Sequence, residues 1–184
     1  LKNWLTEIGK DASKNPNQLL PDAIGHSWGG AVAQIAASEF PAISGNVFTF
    51  NSPGVSASTV NTFRRNLSRT PNKNVTHYIV SGDFVSLFGE AFLPGKVFIQ
   101  SFTDPNINPL TTLAKHRSEN LLTTPPADFL QRQISVEQLN SPDFTYNNDS
   151  DFNEFIAAMN FALPNLSVAI RTRAGAESVR TASE

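Results

Sequence analysis

The sequence predicts an α/β protein with a mostly parallel sheet, and two observations carry this prediction. Short runs rich in β-branched and aromatic residues, typical of strands, occur at 46–51, 74–80 and 96–102. Segments rich in helix formers lie before and between these runs, at about 28–39 and 56–68. Strands that alternate with helices form parallel or mostly parallel sheets. With 184 residues, the chain is long enough for one domain with a buried core.

A helix and a strand are expected ahead of these elements. Residues 1–13 are predicted to form an amphipathic helix because their apolar side chains recur at helical spacing, at Leu1, Trp4, Leu5 and Ile8. Residues 18–24 are predicted to form a strand, with Pro21 at its start or at a bulge, since proline cannot donate a hydrogen bond to a sheet. Pro41 stops the helix that follows.

The last third of the chain is predicted to be less regular. A loop rich in proline and asparagine covers 103–112, and a short helix includes 118–122. A longer helix is expected at about 127–139. A further helical face at 152–159 either packs on the core or acts as a lid or membrane-binding helix.

These patterns divide the chain into three parts. Residues 1–124 hold the alternating strands and helices, and residues 125–170 are expected to form a helical extension packed on them. Residues 171–184 have few large apolar groups and are expected to form a flexible tail.

Composition excludes several classes of protein. The 14 basic and 16 acidic side chains give a net charge of −2 without a basic stripe, so no nucleic acid is expected as a partner. The chain has no cysteine, which excludes disulfides, thiolate metal sites and cysteine nucleophiles. No uninterrupted apolar run approaches the roughly 18 residues of a membrane span. The 14 phenylalanines indicate an aromatic core or an apolar ligand pocket.

Residues 25–29, Gly-His-Ser-Trp-Gly, carry the strongest chemical signal. They fit the pattern G-x-S-x-G, which places a serine nucleophile on a strained turn between a strand and a helix. Gly25 and Gly29 suit a turn in which a side chain would collide with neighbouring backbone. The hydroxyl of Ser27 is then exposed at a helix N-terminus, where free N–H groups stabilise negative charge. The alternative is a glycine-rich helix start with Ser27 as its N-cap.

A serine nucleophile needs a general base, and the chain offers three histidines. His26 adjoins Ser27 and is expected to leave the turn in another direction. His77 lies inside a predicted strand and is expected to be a hydrogen-bonded sheet residue. His116 follows the final predicted strand and its long loop, and a loop can carry its imidazole over the sheet edge. His116 is therefore the predicted base.

A carboxylate must orient the base, and Asp83 is the predicted one. It follows a strong strand directly after Gly82, so it is expected at the same carboxyl edge of the sheet as Ser27. Asp104 is a rival that is also explained as a turn residue before proline. Asp22 precedes the turn at residues 25–29, so it is not expected at the carboxyl end of its strand.

The chain order serine, aspartate, histidine is that of the α/β-hydrolases. Residues 25–31, Gly-His-Ser-Trp-Gly-Gly-Ala, are similar to the Gly-His-Ser-Leu-Gly-Gly-Ala elbow of class 3 lipases, the fungal-lipase-like branch of those enzymes. Residues 48–54, Phe-Thr-Phe-Asn-Ser-Pro-Gly, resemble that family's Thr-Phe-Gly-Ser-Pro segment, and residues 81–85 resemble its Asp-x-Val acid site. His116 falls where its histidine is expected. Over about residues 1–122, the chain thus resembles the C-terminal part of a class 3 lipase catalytic domain.

The resemblance implies a function and a set of site residues. It implies a serine ester hydrolase, of lipase or phospholipase A type, that uses Ser27, His116 and Asp83 on a lipid or other acyl ester without a cofactor or metal. The backbone N–H of Trp28 is expected to donate to the oxyanion. Three apolar side chains after the acid either bind the acyl chain or pack in the core: Phe84, Leu87 and Phe88.

Three positions depart from the family's pattern. Trp28 replaces the common leucine, Asn51 replaces a glycine, and Ser86 stands where a proline is usual. None of these departures removes a member of the triad. They therefore bear on substrate preference more than on the reaction.

The resemblance also implies that strands are missing. Enzymes of this family have several strands and a second oxyanion donor ahead of the elbow, and only 26 residues precede Ser27. We therefore expect an α/β-hydrolase-like sheet that lacks its N-terminal strands and is completed by a preceding segment or a separate chain. The isolated piece is expected to be weak, because loss of one oxyanion donor costs about 10²–10³ in rate.

Two other functions stay open on the sequence alone. One is a non-catalytic module that binds lipid or a protein partner on a hydrolase scaffold. The other is a peptidase of prolyl-oligopeptidase type, which also has a G-x-S-x-G-G elbow. Residues 48–54 argue against the peptidase.

Overall fold

The fold is an α/β arrangement built on one sheet. The computed structural model describes residues 3, 6, 7, 20–41, 45–67, 73–101, 115–117, 130–141 and 144. Its strands are β1 (Ala23–His26), β2 (Val47–Phe50), β3 (Val75–Val80), β4 (Lys96–Ser101) and β5 (Leu130–Ser135). Its helices are α1 (Trp28–Glu39), α2 (Ala57–Leu67) and α3 (Val136–Asn140), and Val85–Leu87 forms a 3₁₀ turn.

Within these residues the five strands lie in chain order across a mostly parallel sheet, β1-β2-β3-β4-β5. The first four strands are parallel, and β5 runs antiparallel to β4. The predicted class, an α/β protein with a mostly parallel sheet, is confirmed at this level. The parallel strands bring their carboxyl ends to one edge, which is where Ser27 and Asp83 lie.

Most predicted elements of the central region are confirmed. Helix α1 has its predicted bounds, and α2, β2, β3 and β4 differ from theirs by one or two residues. Strand β1 begins at Ala23 rather than at residue 18, and Pro21 lies before it. Because Pro21 lies ahead of the strand, its missing N–H removes no bond from the sheet. Its carbonyl accepts a hydrogen bond from the N–H of Gly45 at 2.9 Å.

The helix expected at about 127–139 is wrong over most of its length. Residues Leu130–Ser135 form β5, and the helix α3 occupies only Val136–Asn140. The Ser135 hydroxyl accepts from the N–H of Gln138, whose side chain accepts from the N–H of Ser135. This capping box fixes the helix start at residue 136, so the preceding residues are free to pair with β4.

Several predictions fall on residues outside the described ranges. Residues 3, 6 and 7 are helical, and the rest of the predicted N-terminal helix lies outside them. The same holds for the loop at 103–112 with Asp104, the helix at 118–122, the helical face at 152–159 and the tail at 171–184. The boundaries between the three predicted parts of the chain also lie there.

One face of the sheet carries the described hydrophobic core. Helices α1 and α2 pack on it through a cluster that includes Ala37, Val47 and Phe63. A second cluster, with Ile79, Phe92 and Leu139, lies under α3. No helix in the described ranges combines the length and the hydropathy needed to span a membrane.

His77 lies inside β3, as predicted for a sheet residue, and it is fully buried. Its Nδ1 lies 2.7 Å from the hydroxyl of Thr49, and its Nε2 donates to the carbonyl of Leu93 at 3.0 Å. Burial lowers the pKa of His77 from its ordinary 6.5 to about 4, because the protonated ring would lose its hydration. His77 is therefore neutral in the folded protein at neutral pH.

This pKa predicts that stability falls in mild acid. Below about pH 6.5 the unfolded chain binds a proton at His77 that the folded protein does not bind until about pH 4. The stabilisation is therefore present at neutral pH and is lost as the pH falls, by up to roughly 3 kcal/mol. Urea unfolding at pH 7 and pH 4.5 measures the loss, and His77→Gln should show a smaller one. Equal losses of unfolding free energy in the wild type and in His77→Gln would contradict the attribution of the loss to His77.

Candidate active site

Ser27 lies on a strained turn between β1 and α1. Its φ of 55° and ψ of −131° are in a region that residues other than glycine rarely adopt. The turn is held from both sides, since the N–H of Ser27 donates to the carbonyl of Phe50 at 2.9 Å and its own carbonyl accepts from Gly30 at 2.9 Å. The Ser27 side chain makes no hydrogen bond to the helix N-terminus, which rules out the N-cap interpretation.

The glycines around the turn differ in the space available for a side chain. A Cβ on Gly25 would lie 2.1 Å from the carbonyl oxygen of Gly29, and a Cβ on Gly30 would lie 2.5 Å from the Cβ of Ser52. A Cβ on Gly29 would meet nothing within 4 Å. The expectation that Gly29 avoids a collision is therefore wrong, because its Cα faces open space. Close packing falls on Gly25 and Gly30.

Gly25→Ala and Gly29→Ala form a matched pair of variants. Gly25→Ala drives a methyl group into backbone and is expected to cost about 3 kcal/mol or more in unfolding free energy. Gly29→Ala adds the same methyl group to open space in the first turn of α1, and is expected to stabilise by up to ~1 kcal/mol. Thermal unfolding of both variants checks the pair. Equal destabilisation would contradict the packing described here.

The imidazole of His116 lies between the serine and the aspartate. Its Nε2 lies 2.7 Å from Oγ of Ser27, and its Nδ1 lies 2.9 Å from Oδ1 of Asp83. A carboxylate can only accept, so Nδ1 carries the proton and Nε2 offers its lone pair to the serine O–H. The structure thus brings together the three residues that the sequence singles out, from stretches 56 and 33 residues apart.

Asp83 is buried, and its carboxylate has several donors. Oδ2 accepts from the N–H of Ser86 at 3.1 Å, and Oδ1 accepts from the N–H of Val85 at 3.3 Å as well as from His116. The hydroxyl of Ser86 donates to the main-chain carbonyl of Asp83 at 2.6 Å. A proline at position 86 could donate neither bond, so Ser86 has a local function in holding the acid.

The other two histidines do not compete for the role of base. His77 is enclosed in the sheet, and His26 points its Nε2 at the main-chain carbonyl of His116, 2.7 Å away. Asp22 lies at the opposite end of β1, where it accepts from the N–H of Asn46 at 2.8 Å. These placements confirm that none of the three residues lies between Ser27 and Asp83.

Trp28 is the first residue of α1, directly after the serine. The N–H groups of a first helical turn have no intrahelical partner and carry the positive end of the helix dipole. The Trp28 amide therefore lies where negative charge that develops beside Ser27 would be stabilised. Trp28 is 75% exposed, so it is not part of the core.

Trp28 is one of the residues that line an apolar groove of about 600 Å³. Helix α1 and the loops after β2 and the 3₁₀ turn line it, with Val32, Ile35, Pro53 and Phe88 among its residues. The three aromatic or aliphatic residues predicted to bind substrate lie in three different environments. Phe88 lines the groove, Phe84 is buried with its ring 6.1 Å from that of His116, and Leu87 packs against the core cluster under α3. A role of any of them in binding substrate stays a prediction.

Sequence reasoning noted Asn51 only as a departure from the family's pattern and did not place it in the site. It is fully buried after β2, and its side chain donates to the carbonyl of Lys115 at 2.9 Å. An asparagine between a strand and a Ser-Pro-Gly loop is a signal for a left-handed backbone, which is what it adopts, with φ 44°. Its contact with the histidine segment has no sequence signal because 64 residues separate the two.

The described residues define an α/β protein with a Ser–His–Asp cluster at the carboxyl edge of its sheet. Among those residues, no group of three or more histidine, aspartate and glutamate side chains is placed to hold a metal ion. In comparisons with known proteins, no family model, curated protein or solved structure matches the chain.

Proposed function

We propose that the chain carries the catalytic residues of a serine ester hydrolase with an α/β-hydrolase-like fold, of the class 3 lipase type. The observation that supports this most strongly is the position of His116, 2.7 Å from Oγ of Ser27 and 2.9 Å from the carboxylate of Asp83. A serine that serves only as a turn residue has no need of an oriented base. The strained backbone of Ser27 supports the same reading, because such strain is typically retained at functional sites.

The proposed reaction proceeds through an acyl-enzyme. Oγ of Ser27 attacks the ester carbonyl while Nε2 of His116 takes its proton. Asp83 keeps Nδ1 protonated and stabilises the imidazolium that forms. The imidazolium then protonates the leaving alkoxide, which departs as the alcohol. In the second half, His116 deprotonates a water that attacks the acyl carbonyl. The bond between the acyl carbon and Oγ then breaks, the imidazolium returns its proton to Oγ of Ser27, and the carboxylic acid leaves.

The tetrahedral intermediate carries a negative oxygen that needs donors. The Trp28 N–H at the start of α1 supplies one, aided by the helix dipole. The enzymes that the chain resembles use a second donor as well. With one donor the rate is expected to be about 10²–10³ lower, which still leaves measurable turnover.

The substrate we propose is an ester with an apolar acyl group. The groove of about 600 Å³ that Trp28 helps to line has mostly apolar walls, so it favours a hydrocarbon chain over a charged group. A fatty-acyl ester, including a lipid, fits this description. No cofactor takes part in the proposed reaction.

The function is tested with p-nitrophenyl esters of increasing acyl length and with peptide p-nitroanilides. Wild-type protein should hydrolyse the esters, fastest for a chain long enough to fill the groove, and should leave the anilides unchanged. Ser58→Ala, a change at an exposed serine of α2, should behave as wild type. Ser27→Ala should have no activity above buffer.

Three results would contradict the proposal. Ester hydrolysis that is the same in wild type and Ser27→Ala would remove the serine from the reaction. An absence of turnover, together with lipid binding that survives both Ser27→Ala and His116→Ala, would favour a non-catalytic binding module. Faster cleavage of the anilides would favour the peptidase.

A further inference from the structure

Asn51 connects three parts of the site through one buried side chain. Its Nδ2 donates to the main-chain carbonyl of Lys115 at 2.9 Å, and its Oδ1 accepts from the N–H of Val80 at 2.8 Å. Lys115 precedes His116, and Val80 ends the strand that leads to Asp83. The amide of Asn51 thus joins the end of β2 to the segment of the base and to the strand of the acid.

The main chain of Asn51 is held independently of these bonds. Its N–H donates to the carbonyl of Tyr78 at 2.9 Å, and its φ of 44° lies in the left-handed region. Glycine adopts that region most easily, and asparagine is among the few other residues that tolerate it. Backbone geometry alone would be met by glycine, so the asparagine side chain has a separate role.

A second side chain holds the next residue of the same segment. Nε2 of His26 lies 2.7 Å from the main-chain oxygen of His116, which can only accept, so Nε2 carries the proton and donates. The two imidazole rings also contact each other, with centroids 4.9 Å apart. The carbonyls of residues 115 and 116 are therefore both held from the ends of neighbouring strands, β2 and β1.

We propose that Asn51 and His26 are positioning residues that fix the main chain of Lys115 and His116 so that the imidazole stays between Ser27 and Asp83. This inference rests on the proposed function, since it assigns the two residues to that reaction. The position of an imidazole follows from its main chain and two side-chain torsions. Hydrogen bonds to two successive carbonyls fix the main chain, so only the two side-chain torsions of His116 are left free. The bonds of the imidazole to Ser27 and Asp83 fix these torsions.

Loss of the hydrogen bond from Asn51 or from His26 is expected to slow the reaction while the protein stays folded. A displacement of about 1 Å at a catalytic group can cost roughly 10²-fold in rate. We expect Asn51→Gly, which keeps the backbone conformation and removes both side-chain bonds, to react roughly 10–100-fold more slowly than wild type. KM should change little, because neither residue lines the groove.

His26 offers a pair of variants that separates the hydrogen bond from the packing. His26→Phe keeps an aromatic ring beside His116 and removes the donor. His26→Gln keeps an N–H donor in a similar position. His26→Phe should therefore be slowed in the same way as Asn51→Gly, and His26→Gln should recover most of the wild-type rate.

The measurement is the rate constant and the final stoichiometry of Ser27 labelling by a fluorophosphonate. A positioning role lowers the rate constant and leaves the stoichiometry near that of wild type. A merely structural role lowers the folded fraction, and thus the stoichiometry, without changing the rate constant of the molecules that react. An NMR signal from the Nδ1 proton of His116 should weaken in Asn51→Gly and His26→Phe but not in His26→Gln.

The outcomes separate this inference from the proposed function. Equal rate constants in wild type, Asn51→Gly and His26→Phe would overturn the positioning role and leave the hydrolase proposal standing. So would a His26→Gln variant as slow as His26→Phe. If Asn51→Gly does not fold, the His26 pair decides. A wild-type protein that is not labelled at Ser27 would overturn the proposed function itself.

Discussion

Replacing His116 by alanine is expected to lower kcat for a p-nitrophenyl ester by about 10⁴-fold or more. Oγ of Ser27 has its hydrogen-bonded base at 2.7 Å only in the presence of this imidazole. Without a base, the hydroxyl must lose its proton to water, and the leaving group has no nearby acid. Steady-state kinetics at saturating ester, compared with wild type, measures the loss.

The double variant provides the control for this prediction. Residues that act as one unit give losses that do not add, so Ser27→Ala/His116→Ala should be no slower than either single variant. Circular dichroism and thermal unfolding should show that each variant is folded, because Ser27 and His116 are both only partly buried. A loss of less than tenfold in His116→Ala would contradict its role as base.

Replacing Asp83 by asparagine is expected to lower kcat by about 10⁴-fold while leaving the fold intact. The asparagine oxygen is expected to stay with the N–H of Ser86, because that bond to Oδ2 at 3.1 Å is shorter than the bond from Val85 to Oδ1 at 3.3 Å. The amide nitrogen then faces Nδ1 of His116 and donates to it. The imidazole proton is forced onto Nε2, which can no longer accept the proton of Ser27.

The measurement pairs ester turnover with the state of His116. An NMR spectrum of Asp83→Asn should lose the signal of the proton shared between Nδ1 and the carboxylate, with other signals unchanged. Ser86→Ala is the comparison variant, because it removes only the hydroxyl bond to the carbonyl of Asp83 and keeps the N–H donor. It should lose far less activity than Asp83→Asn. Similar losses in the two variants would contradict the role given to the carboxylate.

The central elements and the positions of Ser27 and Asp83 could be predicted because their signals are local. Helix α1 is fixed by a run of helix formers between Ser27 and Pro41, and β3 by its β-branched and aromatic residues. Ser27 directly follows β1 and Asp83 is the third residue after β3, and parallel strands place such residues at one edge. With only three histidines in the chain, the base could be selected by elimination.

The parts that could not be predicted depend on distant contacts or on weak patterns. Strand β5 reads Leu-Gln-Arg-Gln-Ile-Ser, which is rich in helix-forming residues, and it becomes a strand because β4 offers an edge for pairing. The bonds of Asn51 and His26 to the main chain of residues 115 and 116 span 64 and 90 residues. Local pattern carries no information on such bonds.

Ser27 is proposed to be a nucleophile that His116 and Asp83 activate. Reaction of the wild-type protein with a fluorophosphonate, followed by mass spectrometry of its peptides, tests this proposal. We expect one adduct per molecule, on Ser27, that forms far more slowly in His116→Ala and is absent in Ser27→Ala. No adduct on the folded wild-type protein, or an adduct on another serine that persists in Ser27→Ala, would contradict it.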